Sequence, residues 1–252
     1  MIISVGHFYP EYLNIYADRG NIAVFAHRAA ARGHELDVRA ITVGAPLELR
    51  AYDLLYVGGG QDREQAMIAP DLAARAEELR KAVAGGAALL AVCGGYQLLG
   101  RGYRGRDGAW LEGVGLFPLE THAGETRMIG DVLLESTLAE EPGRTIAGFE
   151  NHAGRTVLDA GARSLGRVVA GYGNDGTSGH EGCRVERALG TYLHGPLLPR
   201  NPWLADLLLS WAIAHACGDE PGPLAPLPDE LERQAHLVSA ARARERGGRP
   251  AR

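Results

Sequence analysis

Along the first hundred residues, short uninterrupted apolar runs alternate with longer amphipathic stretches, a pattern that predicts buried strands exchanging with helices. Ile2 to Val5 is one such run. A helix from about Asn21 to Ala31 follows, and then Leu36-Asp37-Val38-Arg39-Ala40-Ile41, which alternates with period two. Leu54-Leu55-Tyr56-Val57 reads as a buried strand ending in Gly58-Gly59-Gly60. Pro70-Asp71 opens an amphipathic helix with Leu72, Ala76, Leu79 and Val83 inward and Gly85-Gly86 at its end. Ala87 to Val92 is again wholly apolar. Strands alternating with helices imply a mainly parallel sheet covered on both faces, with reactive groups at the carboxyl ends of its strands.

From Val114 onward the pattern shortens. Val114 to Leu119, Ile129 to Leu134 and Leu165 to Ala170 are strand candidates, the last followed by the turn signal Asn174-Asp175-Gly176, and this half reads as more antiparallel. Asn201-Pro202 caps a helix carrying Leu204, Leu207, Leu208 and Trp211 on one stripe. The predicted class is α/β: a mainly parallel central sheet flanked by helices, with additional antiparallel strands. Residues 1–218 form the domain; 219–252 form a Pro-rich linker, a short helical pattern from Asp229 to Ala241 and an Arg-rich, partly disordered tail.

Composition narrows the chemistry. With 252 residues and 46% hydrophobic content, the chain can bury a full core. It has no apolar run of membrane-spanning length, and the N-terminus lacks a basic flank, so a cytoplasmic location is expected. Cys93, Cys183 and Cys217 are an odd, unpaired set, against both a disulfide framework and a metal site. The formal net charge of -5 gives no reason to expect nucleic-acid binding. Lys81 is the sole lysine and follows no phosphate-binding glycine loop. A P-loop is therefore absent, as is a GxGxxG fingerprint, so no cofactor is expected in this chain.

The strongest chemical signal is Cys93, set between the apolar run ending at Val92 and the helix-like opening Gly94-Gly95-Tyr96-Gln97. A residue at such a sharp strand-to-helix turn is pushed out of the sheet, and the glycines after it let backbone N–H groups approach a reacting carbonyl. A helix N-terminus also favours the thiolate. Far downstream, His194 stands at another strand exit in Tyr192-Leu193-His194-Gly195-Pro196.

Ala91-Val92-Cys93-Gly94-Gly95-Tyr96-Gln97, with the preceding glycine loop and the downstream histidine, resembles the class I (triad-type) glutamine amidotransferases. Four further segments resemble the cobyric acid synthase-like branch, and within it the glutaminase subunits of bacterial lipid II isoglutaminyl synthases. They are Asn14 to Asn21, Gly58-Gly59-Gly60-Gln61-Asp62, Gly148-Phe149-Glu150-Asn151-His152-Ala153-Gly154-Arg155, and residues 192–196. The likeness runs from about Ile2 to Cys217. It implies a Cys93 thiolate attacking the side-chain amide of L-glutamine, His194 as acid and base, and N–H groups of Gly94 and Gly59 around the oxyanion. It also makes Arg127 the candidate for the substrate carboxylate, although Arg144, Arg155 and Arg184 compete for that role, and Gln97 a candidate to hold the substrate or the elbow.

Two departures stand out. Many triad enzymes of this kind carry a glutamate two residues after the histidine, where this chain has Pro196, so either a Cys-His dyad operates or a partner chain supplies the acid. Ala91 replaces a frequent glycine. Because nothing in the chain activates an acceptor, a synthetase partner is implied. By resemblance it is a MurT-like Mur ligase subunit in a heterodimer, using ATP and Mg to activate the α-carboxyl of D-glutamate in lipid II for amidation to D-isoglutamine. Such a partner would bring the work to the inner face of the membrane. The alternatives are a glutaminase for another synthetase such as one making a cobalamin-type amide, a noncatalytic interaction module, and a Cys-His hydrolase.

Overall fold

The computed structural model describes residues 1–15, 19–46 and 49–246. Among them, six strands build a central sheet: β1 (Ile2–Phe8), β2 (Glu35–Ile41), β3 (Leu54–Val57), β4 (Ala88–Val92), β11 (Cys183–Val185) and β12 (Ala188–Thr191). Their order is β11-β12-β4-β3-β1-β2, parallel throughout except for the β11 edge. Every residue of β3, β4 and β12 is buried, which is why the first two read as continuous apolar runs. Helices α1 (Arg19–Ala30), α2 (Asp62–Ala74), α3 (Ala76–Ala84), α4 (Gly94–Leu98) and α5 (Pro202–Cys217) accompany this sheet.

A second sheet is mainly antiparallel. It contains β5 (Gly102–Arg104), β6 (Trp110–Glu112), β7 (Leu119–Ser136), β8 (Thr145–Leu158), β9 (Gly166–Ala170) and β10 (His180–Glu181), with the long β7/β8 hairpin at its heart. The two sheets meet at the carboxyl end of the first, where the His194 N–H donates to the Phe149 carbonyl at 2.8 Å.

Several boundaries differ from the sequence reading for identifiable reasons. The helix expected to open at Pro70 already runs from Asp62, with Pro70 inside it, and the break falls at Arg75. Val114 to Leu119 is not a strand of its own, and only Leu119 is in one, as the first residue of β7. The segment's backbone instead closes on the end of α4, Val114 N donating to Leu98 O and both Leu116 N and Phe117 N to Leu99 O. Asn201 precedes α5 but its side chain does not cap it; Oδ1 accepts from Ala147 N, while Nδ2 donates to the carbonyls of Ala147 and Leu197, tying the helix start to β8. The first helix opens at Arg19, ahead of Asn21, whose buried side chain links the Tyr56 hydroxyl to the Leu198 N–H. Asp18 lies outside the described residues.

Beyond Cys217 the chain is wired to the body. Arg28, 2% exposed, pairs with Asp206 on α5 and with Asp229 on the Pro-rich stretch, and Arg32 reaches both Asp206 and the Ala225 carbonyl. Helix α6 (Glu230–Arg246) then packs Ala240 and Ala243 against Leu133 of β7 and Ala147 of β8. Residues 247–252 lie outside the described part.

Candidate active site

Cys93 is the first residue past β4 and carries φ 48° and ψ −105°. That backbone conformation is costly for a residue with a side chain, and it survives where surrounding structure over-determines it. The surroundings here are explicit. The Cys93 N–H donates to Thr191 O of β12 at 2.8 Å, and the Gly95 N–H to Gly58 O at 3.1 Å. A Cβ at Gly94 would lie 2.9 Å from both Gly60 N and Gly60 O, and one at Gly95 2.7 Å from Val57 O. The glycines of the elbow and those after β3 are therefore needed so that two backbones can press together, and Leu13 seals the same loop from the other side.

The elbow opens on a cleft of about 600 Å³. Cys93 and Gln97 line it from the first sheet, Asp62 from the start of α2, and Arg127, Asn151 and His152 from the β7/β8 hairpin. Gln97 is 4% exposed and donates through Nε2 to the Tyr192 hydroxyl at 3.1 Å. That hydroxyl meets Thr156 Oγ1 at 2.6 Å, and Thr156 meets Thr121 Oγ1 at 2.7 Å. The His152 ring stacks on Tyr192, centroids 3.5 Å apart and planes within 4°. A polar ladder thus runs from the cleft into the hairpin.

His194 is fully buried three residues past β12, the strand beside β4, so the two sequence-predicted catalytic residues leave neighbouring strands at the same sheet edge. Among the described residues the histidine that lines the cleft is His152. Its Nδ1 lies 2.9 Å from Gly154 O, which makes Nδ1 the protonated nitrogen, and its Nε2 lies 3.6 Å from Glu150 Oε2. Burial above all, with a contribution from His194, holds the His152 imidazole below its usual pKa although Glu150 pulls the other way.

Two buried carboxylates stand near these histidines, and both have structural work. Glu150 accepts from the N–H groups of Tyr172 (2.6 Å) and Gly173 (3.0 Å). Glu181 accepts from Tyr192 N at 2.6 Å and from the Thr191 hydroxyl, so it fixes the strand exit that carries His194. The residue two beyond His194 is Pro196, whose ring packs where a Cβ on Gly20 would fall.

The competing arginines sort cleanly. Arg127 lines the cleft. Arg155 bonds the Ala153 carbonyl and Thr126, under the loop that carries Arg127. Arg144 and Arg184 lie in a larger cleft of about 970 Å³ beside the Pro-rich stretch, stacked over Trp203 and Trp211 and paired with Glu141 and Glu140. That cleft is the roomier of the two, but it contains neither Cys93 nor His194, and Arg144 and Arg184 are already matched by carboxylates. Gly59 and Gly94 sit at the elbow without lining the cleft, where Gly60 does, and Gly59 O accepts from Ile15 N at 3.2 Å. Tyr192, Asn151 and Glu181 went unassigned in the sequence reading. The first two lie inside motifs quoted there, while Glu181 carries no local signal. Among the described residues no cluster of side chains is suited to a metal ion.

The geometry suits a cysteine nucleophile with a polar recognition surface beside it. The sequence matches the CobB/CobQ-like glutamine amidotransferase domain over residues 4–202. It is 39% identical over 243 residues to the lipid II isoglutaminyl synthase (glutamine-hydrolyzing) subunit GatD of Staphylococcus aureus, covering 96% of each chain. The subunit of the same name from Streptococcus pneumoniae is 36% identical, with 86% of this chain and 83% of that protein covered. A cobyric acid synthase of Pelotomaculum thermopropionicum is 34% identical over 69% of this chain but only 34% of its own length. The fold is shared with a solved glutamine amidotransferase at TM-score 0.57 and 18% identity, covering 82% of this chain and 98% of the other. With its elbow cysteine, glycine loop and strand-exit histidine inside the matched region, the chain belongs to the CobB/CobQ-like glutamine amidotransferase family.

Proposed function

We propose that this chain is the glutaminase subunit of a lipid II isoglutaminyl synthase. The observation that carries the reading is the near end-to-end match to GatD, against coverage of a third of a cobyric acid synthase. The site supplies the chemistry. Cys93 sulfur bonds to the side-chain carbonyl carbon of L-glutamine, His194 takes the thiol proton and gives it to the leaving nitrogen, and the tetrahedral adduct breaks its C–N bond to release ammonia and leave the glutamyl thioester. Water, deprotonated by the same imidazole, then attacks that carbon, and glutamate leaves as the thiol is restored. N–H groups at Gly94 and Gly59 receive the oxyanion; removing one such donor typically costs about 10²–10³ in rate. Arg127 holds the substrate carboxylate, and Gln97 supports the elbow through Tyr192.

Ammonia is useful only beside an activated acceptor. The proposed partner is a MurT-like Mur ligase subunit that binds ATP and Mg and activates the α-carboxyl of D-glutamate in lipid II, the two chains forming a heterodimer. Either a Cys-His dyad suffices or the partner's acid orients His194. No helix among the described residues is long and apolar enough to cross a membrane. The lipid substrate and the partner would bring the work to the inner membrane face.

The test is ammonia release from L-glutamine by wild type, Cys93→Ser and His194→Ala, with and without the co-expressed ligase, together with mass analysis of lipid II. Release that both substitutions abolish, and an amidated lipid II formed only with ATP and both chains, are expected. A folded wild-type chain that releases no ammonia in either setting sinks the proposal. Ammonia release with no amidated lipid II would move the acceptor to another synthetase.

A further inference from the structure

The β7/β8 hairpin breaks register at one place. Ala123 pairs with Gly154 and the next pair is Met128 with His152, so Gly124, Glu125, Thr126 and Arg127 stand opposite Ala153 alone. A bulge of this size re-aims a side chain at the cost of ladder bonds, and it holds its shape only if other groups restrain it. Three do. Arg155 donates from Nη1 to Ala153 O (2.9 Å) and from Nη2 to Thr126 O (3.0 Å), bridging the bulge to the facing strand. Arg106 donates to Glu125 O at 2.8 Å. A Cβ at Gly124 would sit 2.8 Å from Ala153 O, so the bulge also closes against β8 at its root.

At the tip, Asn151 takes both donors along one edge of the Arg127 guanidinium: Nε to Oδ1 at 2.8 Å and Nη2 to the Asn151 carbonyl at 2.9 Å. A solvent-exposed arginine otherwise samples many rotamers, and ordering it on binding costs affinity. Two bonds from one residue fix both the position and the plane of the group. They leave the opposite edge, Nη1 with the second hydrogen of Nη2, without a partner among the described residues, on a side chain that lines the same cleft as Cys93. That edge has the spacing of a bidentate carboxylate. No carboxylate among the described residues pairs with Arg127.

We propose that Asn151 is the positioning residue of the substrate-carboxylate site: it pre-orients Arg127 so that an α-amino acid is selected over an amide lacking the carboxylate. The inference rests on the glutaminase reading above. Its test is a double-substitution cycle on the full chain, assayed for ammonia release from L-glutamine and from 4-aminobutanamide, the same molecule without its carboxylate.

Asn151→Ala is expected to lower kcat/KM for L-glutamine about tenfold, through KM with kcat held within about twofold, and to leave kcat/KM for 4-aminobutanamide unchanged. In the Arg127→Ala background the same substitution should change nothing further, because the group it positions is gone. A fall in kcat/KM of equal size for both substrates, or an undiminished fall in the Arg127→Ala background, overturns the proposal, since either result marks a general structural role. An Arg127→Ala chain that keeps wild-type preference for L-glutamine overturns it as well. Wild type inactive on L-glutamine defeats the glutaminase reading itself and takes this inference with it.

Discussion

Glu181 gives a prediction that can be worked through from burial and hydrogen bonding. Its carboxyl is fully buried and receives the Tyr192 N–H and the Thr191 hydroxyl, holding the strand exit from which His194 projects. Burial outweighs those donors and pushes its pKa up to about 8 from its ordinary value of 4.5. A carboxyl whose folded pKa is raised keeps its proton in the folded state while the unfolded chain has already lost its own. Folding then works against ionisation at every pH above about 4.5, and the native state loses stability as pH rises toward 8. Each pKa unit is worth about 1.4 kcal/mol, so going from pH 5 to pH 8 removes about 3 kcal/mol through this group alone.

Glu181→Gln keeps an acceptor for Tyr192 N and cannot ionise. Urea unfolding of wild type and Glu181→Gln at pH 5, 6.5 and 8 isolates the effect, because every other titrating group is common to both chains. His7, pulled down to about 4 by burial and by Arg19, is one of these; it costs stability as pH falls below 6.5 and so acts at the other end of the range. The variant should gain on wild type by about 3 kcal/mol between pH 5 and pH 8. A difference between the two chains that stays constant across that range would refute the reasoning, showing that the donors around the carboxyl, and not its burial, set its protonation.

Two other perturbations test the packing around the site and the anchoring of the C-terminal segment. In Gly154→Ala the new methyl would lie 2.3 Å from Gln97 Nε2 and 2.9 Å from the Tyr192 hydroxyl, so it must displace one end of the polar ladder; about 1–3 kcal/mol of stability should be lost in urea unfolding, with at least a tenfold drop in kcat/KM for ammonia release. Arg28→Met leaves Asp206 and Asp229 without the cation that joins them; because both carboxylates are about one-fifth exposed, the expected loss is about 2 kcal/mol, less than for a dry pair, with faster proteolysis between residues 219 and 229.

What the sequence revealed depended on how local the physics was. The elbow was legible because an apolar run, a cysteine and two glycines fall within a few residues, and strand burial, turn geometry and close backbone approach each leave a mark there. Pro70 misled because a proline reads as a helix start, whereas this helix tolerates it internally. Val114 to Leu119 has strand-like composition, yet its donors are taken by the carbonyls at the end of α4. Docking of α6 was invisible for a different reason: the residues it buries are Ser239, Ala240 and Ala243, too small to stand out in a hydrophobic pattern. The bulge that aims Arg127 depends on the register between strands and on the reach of Arg155 and Asn151. No spacing within one strand encodes that.

In the proposed mechanism catalysis and recognition are divided between the two sheets, and that division gives the contacts that cross between them a purpose. The parallel sheet supplies Cys93 and His194 from adjacent strand exits, while the hairpin supplies Arg127, Asn151 and His152. An amide held by its far carboxylate meets the sulfur correctly only if the two units keep a fixed offset, and misplacement of about 1 Å can cost roughly 10² in rate. Three contacts hold that offset: the His194 N–H on the Phe149 carbonyl, the Tyr192 hydroxyl on Thr156, and the His152 ring on Tyr192. Each joins the segment bearing His194 to β8, the strand that carries Asn151. The strand exit that places the base is thereby also the hinge post for the substrate arm, so a change at Tyr192 should disturb substrate binding and turnover together, whereas one at Asn151 should disturb binding alone.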